Sequence, residues 1–251
     1  MADATTISLA APPLDLLHGA ALFLDFDGTL VDLAPTPERV VVDDRLPRLL
    51  TVLSDRLDGR IAIVSGRPVA ALRELLPLHL LAVGSHGMEF GKADGSIEIA
   101  TRPAALETVL ARMQRLAAQY TGVLVEDKPL GAALHYRQSP SAETACHELA
   151  SSLAAEHSLH LQPGRMMIEV RASGGDKGTA IERLMREPQM HGTRPVFMGD
   201  DLTDEPGFTA VQRLGGSGIL IGETRATQAS FSLHGVAEAL SWLEDAAAQL
   251  A

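Results

Sequence analysis

The order of apolar runs predicts an α/β fold, in which the two ends of the chain form a parallel sheet and an α+β unit is inserted between them. Three observations carry this. Strands of buried type alternate with helices up to about residue 88, paired strands take over between helices in the middle, and the first rhythm returns after Arg171.

In chain order, the unbroken apolar run Ala21 to Asp25 reads as a buried strand, Asp44 to Leu57 as a helix, and Arg60 to Ser65 as the next strand. Pro68 to Leu76 is a helix whose proline suits a first turn, and Leu80 to Gly84 is a further short strand. Strands and helices of these lengths predict parallel pairing through right-handed crossovers. From about Met88 the character changes. Ala104 to Tyr120 and Ser141 to His157 read as helices, and Val123 to Glu126, Ala132 to Arg137 and Met167 to Arg171 as strands with antiparallel pairing. The closing stretch reads as helix Lys177 to Arg186, strand Pro195 to Gly199, helix Glu205 to Leu214, strand Gly218 to Gly222 and helix His234 to Leu250. The expected division is therefore a discontinuous core over 1–88 and 169–251, with an inserted domain over 89–168.

Composition limits what such a molecule can do. The chain has 251 residues, 46% apolar and 21% charged, enough for a sizeable core and too apolar for long disorder. A net charge of -11 without a dense Lys/Arg cluster argues against a nucleic-acid partner, although a bound cation and a few bases can reverse the field inside a cleft. No run is long and apolar enough to span a membrane. One cysteine, Cys146, rules out an intrachain disulfide and a thiolate metal cluster, which suits a cytoplasmic location; it lies in an alanine-rich helix and reads as a packing residue. Met1 to Gly19, with no basic residue and with Asp3, Pro12, Pro13 and Asp15, reads as a flexible lead-in.

Chemistry is concentrated where strands end. Asp25-Phe26-Asp27-Gly28-Thr29 places two carboxylates one residue apart, followed by a glycine and a hydroxyl. That arrangement suits cation-assisted phosphoryl transfer, one carboxylate attacking phosphorus and the other moving a proton; taken alone it also suits a plain turn. Ser65-Gly66-Arg67 follows a strongly apolar strand, where Ser65 Oγ and the backbone N–H groups entering the Pro68 helix could donate to phosphoryl oxygens, or simply form a turn. Gly174-Gly175-Asp176-Lys177-Gly178-Thr179 opens a helix and sets Lys177 beside a possible anion; the spacing is not that of a Walker loop, and the alternative is a capped helix with a solvated lysine. Gly199-Asp200-Asp201-Leu202-Thr203-Asp204-Glu205 gathers acids at another strand end. Helix capping accounts for one or two of them and leaves Asp200 as a cation ligand, with Asp204 beside it.

In this order the residues resemble the haloacid dehalogenase-like (HAD) phosphohydrolase superfamily, whose signatures are Asp-x-Asp-x-Thr, an apolar strand ending in Ser or Thr, a lysine, and a late acidic pair. The resemblance implies a Rossmann-like parallel-sheet core with an α/β cap. It implies Asp25 as nucleophile, Asp27 as acid and base, Ser65 and Lys177 as phosphate binders with Gly66 beside Ser65, and Mg²⁺ held by Asp25, the Asp27 carbonyl and Asp200; the acidic cluster itself adds Asp204 as a further metal candidate. Gly84-Ser85-His86-Gly87-Met88-Glu89, Glu126-Asp127-Lys128, Ala133-Leu134-His135-Tyr136-Arg137, Gly164-Arg165-Met166-Met167-Ile168-Glu169-Val170-Arg171 and the Gly199 to Glu205 ending further resemble the trehalose-6-phosphate phosphatases. That resemblance implies a sugar-phosphate substrate whose glucose hydroxyls are bound by Glu126, Lys128, Arg137 and Glu169, and a functional pairing with a trehalose-phosphate synthase; Arg67, beside Ser65, could add charge for the phosphate and is a further substrate-binding candidate. Pro129-Leu130-Gly131 after Lys128 departs from the family pattern. His86 and His135 lack a second His or Cys at ligand spacing and read as structural rather than zinc-binding. Two other readings stay open: a related sugar phosphatase or phosphomutase acting on sucrose, mannosyl or hexose phosphates, and a sugar-phosphate sensor without turnover.

Overall fold

The computed structural model describes residues 9–34, 39–77, 79–164 and 166–250. Its elements in chain order are β1 (Ala20–Leu24), α1 (Arg45–Arg56), β2 (Ile61–Val64), α2 (Val69–Leu75), β3 (Leu81–Gly84), β4 (Glu89–Gly91), β5 (Ile97–Ile99), α3 (Ala105–Ala117), β6 (Leu124–Lys128) and β7 (Gly131–His135). They continue with α4 (Glu143–His157), β8 (His160–Gly164), β9 (Met167–Arg171), α5 (Lys177–Leu184), β10 (Arg194–Gly199), α6 (Glu205–Arg213), β11 (Ser217–Ile221), β12 (Phe231–Leu233) and α7 (Val236–Gln249). These residues form two compact units, one from the chain ends, up to Glu98 and from Asp176 onward, and one from Ile99–Gly175.

The first unit holds a sheet of order β12-β11-β10-β1-β2-β3-β4-β5. Pairing from β12 to β3 is parallel, and β4 turns antiparallel onto β3. Every residue of β1 is buried because helices cover both faces. Leu22 and Leu24 pack with Ile61, Ile63, Val196, Met198 and the leucines of α1 and α7. Ala21 and Phe23 face the other way, toward Ala62, Val64, Phe197 and the apolar sides of α5 and α6. Burying each such Leu or Phe contributes about 1.5–3 kcal/mol, so the two-residue period of the strand sets which side chain serves which layer.

In the second unit β6, β7, β9 and β8 form an antiparallel sheet in that order. Ala132, Leu134, Ile168 and Val170 turn toward α3 and α4. The alternate positions, among them Glu126, Lys128, His135 and Glu169, therefore share the opposite face. Cys146 is buried among the apolar residues, and burial pushes its thiol up, as a packing role requires.

Several expectations are corrected. The inserted unit runs from Ile99 to Gly175 rather than over 89–168, because Glu89–Gly91 pairs with Leu81–Gly84 in the core sheet and all of Met167–Arg171 pairs with Gly131–His135. The segment from Leu9 to Gly19 is not a flexible lead-in. Leu14–Leu17 form a 3-10 turn with Leu17 buried, and Trp242 Nε1 donates to Pro12 O at 2.9 Å. Residues 1–8 and Arg165 lie outside the described residues. The short strands β4, β5, β8 and β12 were not expected: three residues carry little periodicity, and β8 includes Pro163, which is accommodated because β8 is an edge strand. The strand expected to reach Arg137 ends at His135. Among the described residues no helix is long and apolar enough to cross a membrane.

Candidate active site

The order of the first sheet reverses at β1. From there the chain builds β2 and β3 on one side, and later β10, β11 and β12 on the other. Ligands of open α/β sheets bind at the carboxyl ends of strands at such a switch point. With Leu24 opposite both Met198 and Ile63, the residues that follow, Asp25, Asp200 and Ser65, emerge from three adjacent strand ends. The Asp25 N–H donates to Met198 O at 2.9 Å, which fixes the first turn out of the strand.

Asp25 is 4% exposed. Its Oδ1 accepts from Lys177 Nζ at 2.6 Å, and the same ammonium reaches Asp204 Oδ1 at 2.5 Å. Lys177 is the first residue of α5, whose start is set by a capping box: Asp176 accepts from the Thr179 N–H, and Thr179 Oγ1 accepts from the Asp176 N–H. The capped-helix reading thus holds, but the lysine is buried rather than solvated. Asp204 is fully buried, and its Oδ2 accepts the N–H groups of Asp200 and Asp201, both at 2.9 Å. It therefore organises the acidic turn and holds Lys177 at once.

Asp27 is arranged differently. Arg67 grips it with a two-pronged contact, Nε to Oδ2 at 2.7 Å and Nη2 to Oδ1 at 2.8 Å, and stacks over the Phe26 ring. Such a fork fixes the plane of the carboxyl group. Gly28 has φ +82°, and a Cβ there would come within 2.1 Å of Asp200 Oδ2. Only glycine fits that turn and that approach. Ser65 Oγ accepts from the Arg67 N–H at 3.1 Å, which leaves its O–H as the group it can donate. The expectation that the N–H groups entering the Pro68 helix serve phosphate is corrected in part: Arg67 N–H is taken by Ser65 and Val69 N–H by Glu89.

Charge is crowded at this end of the sheet. Burial, then Asp204 and Asp200, raises the Asp25 carboxyl well above its ordinary range, with Lys177 opposing. Burial and Asp204 raise Asp200 to about 7, and its side chain is within hydrogen-bonding contact of Asp25. Burial works against the Lys177 ammonium, but Asp204 and Asp25 outweigh it and hold it charged beyond the usual lysine range. Carboxylate oxygens of Asp25, Asp200 and Asp204 lie within 4.8 Å of one another. An all-oxygen donor set with more acids than bases suits a hard divalent cation such as Mg²⁺. Asp204 Oδ1 accepts from Lys177 and its Oδ2 from two backbone N–H groups, whereas Asp25 Oδ2 accepts the longer bond from Thr29 Oγ1 at 3.4 Å, so Asp25 and Asp200 are the carboxylates best placed to meet a cation; the Asp27 side chain is engaged by Arg67.

A pH dependence follows. Between about pH 4 and 7 the folded chain keeps a proton on Asp200 that the unfolded chain has released, since the ordinary value is 3.8 and the folded value about 7. Stability of the metal-free protein therefore falls as pH rises through that window, by at most about 1.4 kcal/mol per pH unit from this group. Urea unfolding in EDTA across pH 5–8 should show a shallower decline for Asp200→Asn; a slope equal to the parent's refutes the assignment.

In the second unit, Lys128 Nζ lies 2.6 Å from Glu169 Oε2 and 3.9 Å from Glu126 Oε2. Burial pulls the Lys128 ammonium down, but Glu169 and Glu126 outweigh it, so the group stays charged. His135 Nε2 sits 2.8 Å from Glu126 Oε2, a hydrogen bond that fits its reading as a structural histidine and also brings it to this cluster. Its signal was diagonal register: His135 pairs with Leu124, two residues before Glu126. Pro129 and Leu130 form a two-residue connection between Lys128 and Gly131, so the departure noted there leaves the register intact. Arg137 lies beyond the end of β7 and is exposed, and Arg67 is engaged with Asp27 in the first unit.

A family model described as trehalose-phosphatase matches residues 23–237. A trehalose-6-phosphate phosphatase of Escherichia coli K12 is 41% identical over 227 residues, covering 89% of this chain and 85% of its own length. A probable trehalose-phosphate phosphatase of Sinorhizobium fredii is 38% identical over 209 residues, covering 82% and 79%. The C-terminal domain of a Candida albicans trehalose-6-phosphate phosphatase shares the fold, with TM-score 0.83 at 24% identity over 96% of this chain and 98% of that one. The family match begins in β1 and ends in the first turn of α7, so it takes in every site residue named above, and on a HAD-type α/β core the chain belongs to the trehalose-phosphatase family.

Proposed function

We propose that this phosphatase hydrolyses trehalose 6-phosphate to trehalose and inorganic phosphate in trehalose biosynthesis, through an aspartyl-phosphate on Asp25 and with Mg²⁺ as cofactor. The observation that carries the reading is a buried Asp25 at a strand end, held by Lys177 and facing Asp200. Asp25, Asp200 and the Asp27 carbonyl would hold the ion, which when bound offsets the repulsion between the carboxylate and the phosphate dianion. Asp25 attacks phosphorus, and the P–O bond to the sugar breaks as Asp27 gives its proton to the leaving oxygen. Asp27 then takes a proton from the water that attacks the acyl phosphate, releasing phosphate and restoring Asp25. Arg67 orients the Asp27 carboxyl, and letting go of one of its two contacts frees the oxygen that carries the proton in each transfer. Ser65 O–H and Lys177 meet the phosphoryl oxygens.

The sugar hydroxyls are assigned to Glu126, Lys128 and Glu169, because charged groups make the strong directional bonds that distinguish one sugar from another. Phosphate release from trehalose 6-phosphate, sucrose 6-phosphate, glucose 6-phosphate and mannose 6-phosphate, with Mg²⁺ and with EDTA, tests the function. Fast release from trehalose 6-phosphate alone, lost in EDTA, is expected; isomerised sugar phosphate without free phosphate would make the chain a mutase. Lys128→Ala should cost about 10–100-fold in kcat/KM for trehalose 6-phosphate, the scale of one charged hydrogen bond. p-Nitrophenyl phosphate, which offers no sugar hydroxyls, should lose less than about threefold. Equal losses on both substrates would remove the sugar assignment.

A further inference from the structure

The turn Gly84–Met88 has no part in the steps above, yet it is built under constraint beside the phosphate side of the site. Ser85 and His86 stand at φ 48° and 55°, and Gly87 follows at 96°. Consecutive non-glycine residues in the left-handed region persist only where surrounding contacts dictate them, and such places cluster at functional sites. Here the contacts lead to the segment that presents Ser65. His86 N–H donates to Ser65 O at 3.2 Å, and Ser85 N–H to Arg67 O at 2.9 Å. The His86 ring lies against Gly66, where an added Cβ would come within 2.7 Å of its Cε1.

Glu89 closes this assembly. It is 2% exposed, and each carboxylate oxygen has a donor: Oε2 accepts the Val69 N–H at 2.9 Å, and Oε1 accepts the Ser85 hydroxyl. Val69 begins α2, directly after Ser65-Gly66-Arg67-Pro68, so Glu89 ties the far end of the Ser65 segment to the strained turn, whose His86 N–H holds the near end. On the far side, Gly87 packs against Asp176 O, where a Cβ would come within 2.6 Å, and Asp176 precedes Lys177. A rigid contact of this kind is how a supporting residue keeps a reacting group within the fraction of an ångström that catalysis needs.

We infer that Glu89 is a positioning residue for phosphoryl transfer, which through Ser85 and the Val69 N–H holds Ser65 where it meets the phosphoryl group. This rests on the reading of Ser65 as a phosphate donor. Glu89→Ala leaves a buried N–H without an acceptor and frees the turn. Glu89→Gln can restore both bonds, its carbonyl facing Val69 N–H and its amide facing a Ser85 hydroxyl that has rotated to accept.

The test is a double-mutant cycle of Glu89→Ala with Ser65→Ala in the full chain, read as kcat, KM and inhibition by inorganic phosphate, with thermal unfolding alongside. In the parent background Glu89→Ala should lower kcat about 10–100-fold and weaken phosphate inhibition comparably, with most of the loss recovered in Glu89→Gln; in the Ser65→Ala background its added loss should be under about threefold. The same loss in both backgrounds, or parent-like kinetics in a folded Glu89→Ala, overturns the inference. If Glu89→Ala does not fold, Ser85→Gly suits a φ of 48° and deletes the hydroxyl; it should show a smaller loss of the same pattern, and parent-like kinetics there overturn the inference as well. A fully active Ser65→Ala would overturn the phosphate reading and this inference with it, whereas an impaired Ser65→Ala beside an unimpaired Glu89→Ala overturns the inference alone.

Discussion

Asp25→Asn should lower turnover of trehalose 6-phosphate by at least about 10⁴-fold, the scale on which enzymes lose rate when their nucleophile is removed, while leaving the fold intact. The amide has the shape of the carboxylate but cannot form the acyl phosphate. Lys177 keeps Asp204 as a partner at 2.5 Å, so no buried cation is stranded. The sign of the stability change follows from the raised Asp25 carboxyl: a folded value above the ordinary 3.8 means that ionising this group weakens the folded state as pH rises above that value. A neutral amide escapes that cost. In EDTA at pH 7.5 the variant should therefore unfold at or above the parent temperature, and with Mg²⁺ present its single-turnover phosphate release should be undetectable. A rate within a hundredfold of the parent would falsify the nucleophile assignment, whatever the unfolding temperature.

What the sequence made legible and what it did not divide along a physical line. Asp25, Ser65 and Asp200 could be located because each follows an apolar strand run, and Lys177 because a glycine-rich stretch leads into a capped helix; these are signals between chain neighbours. The Arg67 grip on Asp27 was not legible, because it joins residues 40 positions apart across two strand ends. The place of Glu89 in the core was not legible, since a three-residue strand gives too little periodicity to show that it pairs with Leu81–Gly84. The partner of His135 was not legible either, because only the register of β6 against β7 brings it to Glu126. Leu9 to Gly19 looked like a lead-in for a related reason. Its prolines and acids suggested disorder, but Leu17 and the Pro12 carbonyl find their partners more than 200 residues away, around Trp242.

Lys177→Met should lose both stability and activity, and the two losses can be separated. The ammonium is buried between Asp25 and Asp204, with Asp200 close by, so its removal leaves a cluster of carboxylates without a compensating base. Breaking a buried ion pair from one side costs about 3–5 kcal/mol, because the stranded charge must remain desolvated or take up a proton. The second route makes the cost pH-dependent: protonation relieves it in acid, so the deficit in urea unfolding should be larger at pH 8 than at pH 5.5. Lys177→Arg should not rescue activity, since the planar guanidinium is bulkier than the ammonium it replaces in a site where Lys177 is 3% exposed. Adding Asp204→Asn to Lys177→Met removes one stranded charge, and the amide oxygen can still accept the Asp200 and Asp201 N–H groups that Asp204 accepts now. Stability should then recover by about half or more, while turnover stays at least about 10³-fold below the parent, because the ammonium that meets the phosphoryl oxygens is gone. If the double variant regained activity together with stability, Lys177 would be a structural counter-charge and its phosphate role would be lost. If Lys177→Met unfolded within about 1 kcal/mol of the parent at pH 8, the buried ion-pair argument itself would fail.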